Sequence, residues 1–221
     1  MQATRNILCF GDSLTWGWIP VAEGAPTSRY PYHERWTGVM ATQLGVGHCV
    51  IEEALSARTT TADDPLDPRL NGSLYLPSSI ASHLPIDLVI ILLGTNDTKV
   101  FFDRTPFDIS IGMAKLVGQV LASAGGIGTV YPAPKCLVVA PPPIAPIPNA
   151  FFRGMWEGAA EKSKKLSAAY QAMAEYMQVD FLDAGDHVVT EGCDGIHLTV
   201  ENNRDLGLAM ARKAAEILRR L

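Results

Sequence analysis

Short, nearly continuous apolar runs alternate with helix-periodic segments along the whole chain, and this alternation limits the fold more than any other feature. Ile7–Phe10, Val50–Ile51, Leu88–Leu93, Leu137–Ala140 and Val179–Leu182 have the length and content of buried strands. Between them, Trp36–Leu44, Leu74–Leu84, Ile109–Ala124, Ala159–Met177 and Val200–Leu221 read as helices. Thr199 is placed to cap the last of these, with Glu201 in the first turn to meet the helix dipole. A strand that is apolar on both faces needs cover on both, and parallel neighbours need a crossover that a helix supplies. The expectation is an α/β fold, a flavodoxin-like doubly wound parallel sheet of five strands, forming one domain over residues 1–221. With 48% hydrophobic residues, a chain of 221 can bury one substantial core, and no repeat or linker divides it.

In such sheets ligands bind beyond the carboxyl ends of the strands. Four polar segments fall there. Gly11-Asp12-Ser13-Leu14 ends the first strand, with no helix pattern starting for many residues after it. Leu55–Thr60 follows the second strand, and Gly94-Thr95-Asn96-Asp97 follows the third. Asp194-Gly195-Ile196-His197 immediately precedes the last helix. Each alone is a credible turn, since Gly, Asp, Asn and Ser are ordinary turn formers. Together they supply what acyl transfer requires: a hydroxyl nucleophile, a base, a group to orient the base, and oxyanion donors. Asp194 and His197 are spaced as neighbours on one helical turn, so the carboxylate reaches Nδ1 and leaves Nε2 free as base.

The ordered blocks Gly11–Leu14, Gly94–Asp97 and Asp194–His197 resemble those of the GDSL/SGNH hydrolase family across essentially the whole chain. The run Cys9–Trp18 and the stretch Glu52–Thr60 resemble a narrower branch, the bacterial arylesterases with acyltransferase ability. The resemblance implies the SGNH hydrolase fold, Ser13 as nucleophile, His197 as base and Asp194 as its partner. It also implies an oxyanion hole built from the Ser13 N–H, a second-block N–H at Ala57 and the Asn96 side chain. Ala57 stands where the wider family has glycine, and its N–H serves provided that the position does not need a positive φ. The function so implied is hydrolysis of short-chain aryl or alkyl esters through an acyl-serine, with transfer of the acyl group to alcohols as well as to water. The alternatives are a carbohydrate O-acetyl esterase on the same triad and a non-catalytic ligand-binding protein of the same fold. Metal-dependent hydrolysis through Asp12, Asp97, Asp194 and His197 is a third, chemically different reading. No cofactor or metal is expected. Asp12, Trp16, Trp18, Ile196 and Phe152 are expected to contact the substrate.

Other classes are disfavoured. A net charge of −5 does not suit nucleic acid, and no apolar stretch reaches the roughly 18 residues of a membrane span. No phosphate-binding glycine loop follows the first strand. The chain enters an apolar strand almost at once, without the ordered parts of a signal peptide, which points to a cytoplasmic location. Of the four cysteines, Cys9, Cys49 and Cys136 fall in apolar runs expected to be buried, and Cys193 adjoins Asp194. Two long loops, Trp16–Arg35 and Pro141–Trp156, carry Trp18, Ile19, Tyr30, Tyr32, Phe151, Phe152, Met155 and Trp156. One small domain cannot readily bury them all, so a homo-oligomer is expected, and the branch resemblance points to a large assembly such as an octamer.

Overall fold

The computed structural model describes residues 4–221. Five strands follow the apolar runs: β1 (Arg5–Gly11), β2 (His48–Ala54), β3 (Leu88–Leu92), β4 (Lys135–Ala140) and β5 (Asp180–Asp183). They form one sheet in the order β2-β1-β3-β4-β5, with every neighbouring pair parallel. Strand order reverses beside β1, so β1 and β3 open the crevice at the switch point. The connections contain α1 (Ser13–Trp16), α2 (Trp36–Leu44), α3 (Gly72–Ser82), α4 (Pro106–Leu121), α5 (Ala150–Met155), α6 (Ala159–Met177) and, after β5, α7 (Val200–Leu218).

Side chains alternate across a strand, so the apolar runs feed two cores. Ile7, Cys9, Leu88, Ile90, Leu92, Leu137 and Val139 share one core with Trp36 and Met40 of α2 and Leu206, Met210 and Ile217 of α7. Leu8, Phe10, Val89, Ile91 and Val138 face the other way, onto Leu76, Met113, Leu116, Leu166 and Tyr170 of α3, α4 and α6. Burial on both faces is the physical reason these strands lack polar alternation. Truncating Ile90 to alanine would cost roughly 2–5 kcal/mol, because the close-packed sheet cannot collapse into the gap. Thr199 caps α7 as expected, in a reciprocal box with Asn202.

Three expectations need correction. Cys49 is exposed, because β2 is an edge strand with no fully buried residue. A helix does follow Ser13 directly: Asp12 caps α1 and Gly17, at φ 91°, ends it. Four residues are too few to show a helical period, which is why the pattern hides it. Within the proline-rich loop, Asn149 caps α5 by accepting from the Phe151 and Phe152 N–H groups. Among the described residues, no helix is long and apolar enough to cross a membrane.

Candidate active site

The sheet delivers Ser13 to the carboxyl end of β1, and α1 fixes it there. Asp12 Oδ1 accepts the Leu14 N–H at 3.0 Å, so the residue preceding Ser13 is bound to the residue following it. The Ser13 hydroxyl lies 2.9 Å from His197 Nε2. His197 Nδ1 is 2.7 Å from Asp194 Oδ2. A carboxylate can only accept, so Nδ1 carries the proton and Nε2 is left to accept from the Ser13 hydroxyl. Three side chains predicted from separate sequence blocks thus form one hydrogen-bonded relay.

The Asp194–His197 contact does not arise from a helical turn. The segment is an irregular turn before α7, in which Asp194 Oδ1 accepts the backbone N–H groups of Ile196 and His197, each at 2.9 Å. This local capping by an Asp side chain turns the chain back and brings the imidazole onto the second carboxylate oxygen. Gly195 takes φ 77°, and a Cβ there would lie 2.6 Å from the Pro146 carbonyl oxygen. Only glycine lets the loop after β4 pack so closely on the turn. Burial raises the Asp194 pKa, but the side-chain bond to His197, its charge and the two backbone donors outweigh that, and the net shift is downward. The carboxylate therefore stays ionised beside the imidazole.

Asn96 sits in the turn after β3, buried and lining the same pocket as Ser13. Its amide donates to Asp12 Oδ2 and to the Arg58 carbonyl, both at 3.2 Å. These are long bonds, and an oxyanion would have to take one over. The turn is anchored by Asp97, fully buried, which accepts from the Thr60 N–H at 2.9 Å and from Arg104 at 2.9 Å. Asp97 thereby ties the second and third loops together. Ala57, between them, also lines the pocket, and it adopts φ 69°. The position where the sequence departs from glycine does take a positive φ, and alanine adopts it, so the backbone N–H follows the course a glycine would give it, at the cost of strain. Burial pushes the Asp12 carboxyl up to about 7, helped by Asp97 and opposed by the Leu14 N–H, Arg58 and Lys99.

The two long loops close over this centre. The pocket they leave, about 140 Å³, is lined by Ser13, Trp18, Ala57, Asn96, Lys99, Phe152, Trp156, Ile196 and His197, among others. Trp18 stacks on the His197 ring at 5.1 Å between centroids. Gly24, at φ 80°, packs on Phe152; a Cβ there would lie 2.4 Å from the ring, so this close loop-to-loop approach requires glycine. Of the expected substrate contacts, Trp18, Ile196 and Phe152 line the pocket. Trp16 and Asp12 do not: Trp16 packs against Trp18 and Arg29, and Asp12 is buried beneath Ser13 and Asn96. Lys99, Ala22, Ala25 and Asn149 also line the pocket and were not foreseen. Only the two odd loops gave any signal, and Lys99 gave none. Of the eight loop side chains expected to resist burial, only Tyr32 and Phe151 are exposed. Trp156, Phe152 and Met155 fold into a satellite core with Ile144, Ile147 and Ile196. Among the described residues, no three His, Cys, Asp or Glu side chains gather as a metal-binding group.

Residues 9–204 match the model of the GDSL-like lipase/acylhydrolase family. The chain is similar to the solved structure of Est24, a carbohydrate acetylesterase from Sinorhizobium meliloti, with 64% identity and TM-score 0.96, covering 97% of this chain and 100% of that one. It is similar in the same measure to the aryl esterase of M. smegmatis, at 60% identity, TM-score 0.96 and the same coverage. A carbohydrate acetylesterase family member from Sinorhizobium meliloti is 34% identical, with TM-score 0.86 over 97% of this chain and 99% of that one. No curated protein matches.

Proposed function

The chain belongs to the GDSL-like lipase/acylhydrolase family and is a carboxylic ester hydrolase, and on that premise we propose that it works through an acyl-enzyme on Ser13. The observation that carries this is the unbroken relay from Asp194 through His197 to Ser13, with both links under 3 Å. Ser13 Oγ attacks the ester carbonyl while His197 Nε2 takes its proton. Asp194 holds the imidazole and stabilises its charged form. The carbonyl oxygen becomes an oxyanion held by the Ser13 and Ala57 N–H groups and the Asn96 amide, each donor being worth ~3–4 kcal/mol of barrier. The tetrahedral intermediate collapses, the leaving alkoxide receives the proton from His197, and Ser13 carries the acyl group. Water or an alcohol then attacks, with His197 again as base.

Transfer to alcohols is the finer part of the proposal. It is supported by the largely apolar pocket, where an alcohol partitions better than in bulk water. It is also supported by exposed Phe101 and Phe151, neighbours of the pocket-lining Lys99 and Phe152, which a second copy of the chain would cover. The homo-oligomer we propose rests on these two exposed rings beside pocket-lining residues. The test is Ser13→Ala, which should remove nearly all hydrolysis of 4-nitrophenyl acetate while the fold persists. Retention of more than a few per cent of kcat would overturn the assignment. Light scattering, read beside the ester-to-acid product ratio at modest alcohol concentration, tests the assembly and the transfer; a monomer giving only acid defeats both.

A further inference from the structure

Lys99 ends the turn that carries Asn96, and it is the cation in the wall of the pocket. The residue is 6% exposed, and among the described residues its ammonium makes no hydrogen bond and no salt bridge. Two aromatic rings lie near it, Trp156 at 5.4 Å and Phe101 at 6.0 Å from Nζ. A π-face attracts the charge but leaves the three N–H donors unbonded. Burial lowers the Lys99 pKa, while Asp64, Asp12 and Asp97 act from further away to keep it charged. Ser56 also lines the pocket, and its hydroxyl is buried without a partner, whereas the Lys99 ammonium keeps some exposure. A buried donor left unpaired is costly, and a pocket that holds one together with an unpartnered ammonium favours a ligand that brings acceptors to both.

We propose that Lys99 binds an uncharged oxygen of the substrate beyond the ester group, so that the enzyme prefers esters of polyhydroxy alcohols to esters of plain alkanols. An anionic group would suit the site less, because the ionised Asp194 lines the same pocket. This inference rests on Ser13 chemistry in the same pocket. Nothing covalent changes in the step it describes: the ammonium donates to a hydroxyl, ether or carbonyl oxygen and thereby orients the alcohol portion against the apolar wall.

The experiment compares kcat/KM for glycerol 1-acetate and propyl acetate, which share a carbon skeleton and differ by two hydroxyl groups. Wild type is run beside Lys99→Met, which keeps the stem without the donors, and Lys99→Arg, which keeps donors. The glycerol-to-propyl ratio should fall roughly tenfold or more in Lys99→Met, the size expected for a charge-assisted hydrogen bond, and hold better in Lys99→Arg. A purely structural role would lower both esters together and leave the ratio within twofold, which overturns the inference while the Ser13 reading stands. A second pair, 4-nitrophenyl butyrate and 4-nitrophenyl hemisuccinate, asks about charge. A larger loss on the hemisuccinate than on the glycerol ester would overturn the uncharged ligand in favour of a carboxylate. Wild type inactive on every ester would overturn the Ser13 reading and this inference with it.

Discussion

Replacing Ala57 by glycine should make the protein slightly more stable without changing what it does. Ala57 is the third residue of the Leu55–Arg58 turn, closed by the Arg58 N–H donating to the Leu55 carbonyl at 3.0 Å, and its φ is 69°. A type II turn takes glycine at that position, because an L side chain there crowds the neighbouring carbonyl. The left-handed conformation costs an L-residue about 1–2 kcal/mol, which the substitution relieves. Against this, glycine frees the unfolded chain by about 0.4–1 kcal/mol. The lost methyl is only partly covered, so it forfeits less than the ~0.8 kcal/mol of a buried one. The net is about 0.5 kcal/mol of stabilisation, a rise in Tm of about 1–2 °C for a chain of this size. Ala57→Val should go the other way by about 1–3 kcal/mol, because a β-branched residue is held worst at positive φ. Urea unfolding measures both, and 4-nitrophenyl acetate turnover should stay within about twofold for the glycine variant, since the N–H keeps its direction. A glycine variant less stable than wild type by 0.5 kcal/mol or more would refute the strain at Ala57.

Three further outcomes follow from the site. Asp12 has a folded pKa of about 7 against 3.8 unfolded, so the folded state binds the extra proton between these values and stability falls as pH rises through that window. From pH 5 to 8 the loss is about 2–3 kcal/mol by urea unfolding; Asp12→Asn should lack this component, and an identical pH difference in both proteins would contradict it. Asp194→Asn should cut kcat about 10⁴-fold by allowing the wrong imidazole tautomer, measured on 4-nitrophenyl acetate; a loss under tenfold would remove Asp194 from the relay. Acetyl and butyryl esters should exceed palmitoyl esters in kcat/KM, because a pocket near 140 Å³ is comparable to the apolar cavity of roughly 150 Å³ that holds benzene; the reverse order would indicate an open groove.

Much of the architecture was legible because its signals are local. A run such as Leu88–Leu92, apolar at every position, is consistent only with burial on both faces, and that condition selects a parallel sheet between helix layers. The same economy holds for the chemistry: Ser13, Asn96, Asp194 and His197 each sit in a short turn-forming block after a strand or before a helix, where polar residues are least needed for packing. What the blocks could not reveal is how their atoms meet. Asp194 reaches His197 through an Asp-capped turn and not through helical spacing, and the two geometries share one residue separation. The positive φ of Ala57 is imposed by the turn that closes after β2, and a glycine-to-alanine departure in the sequence carries no sign of it. Trp18 and Trp16 are indistinguishable by type and separation, yet one stacks on His197 and the other backs it against Arg29. Lys99 is the extreme case. Its proposed role depends on Trp156, which lies near it from the loop after β4. Local sequence determines backbone preference and burial, through periodicity and turn chemistry acting over a few residues. Which side chain faces a shared cavity is decided by contacts between segments far apart in the chain, and only the packed tertiary structure contains them.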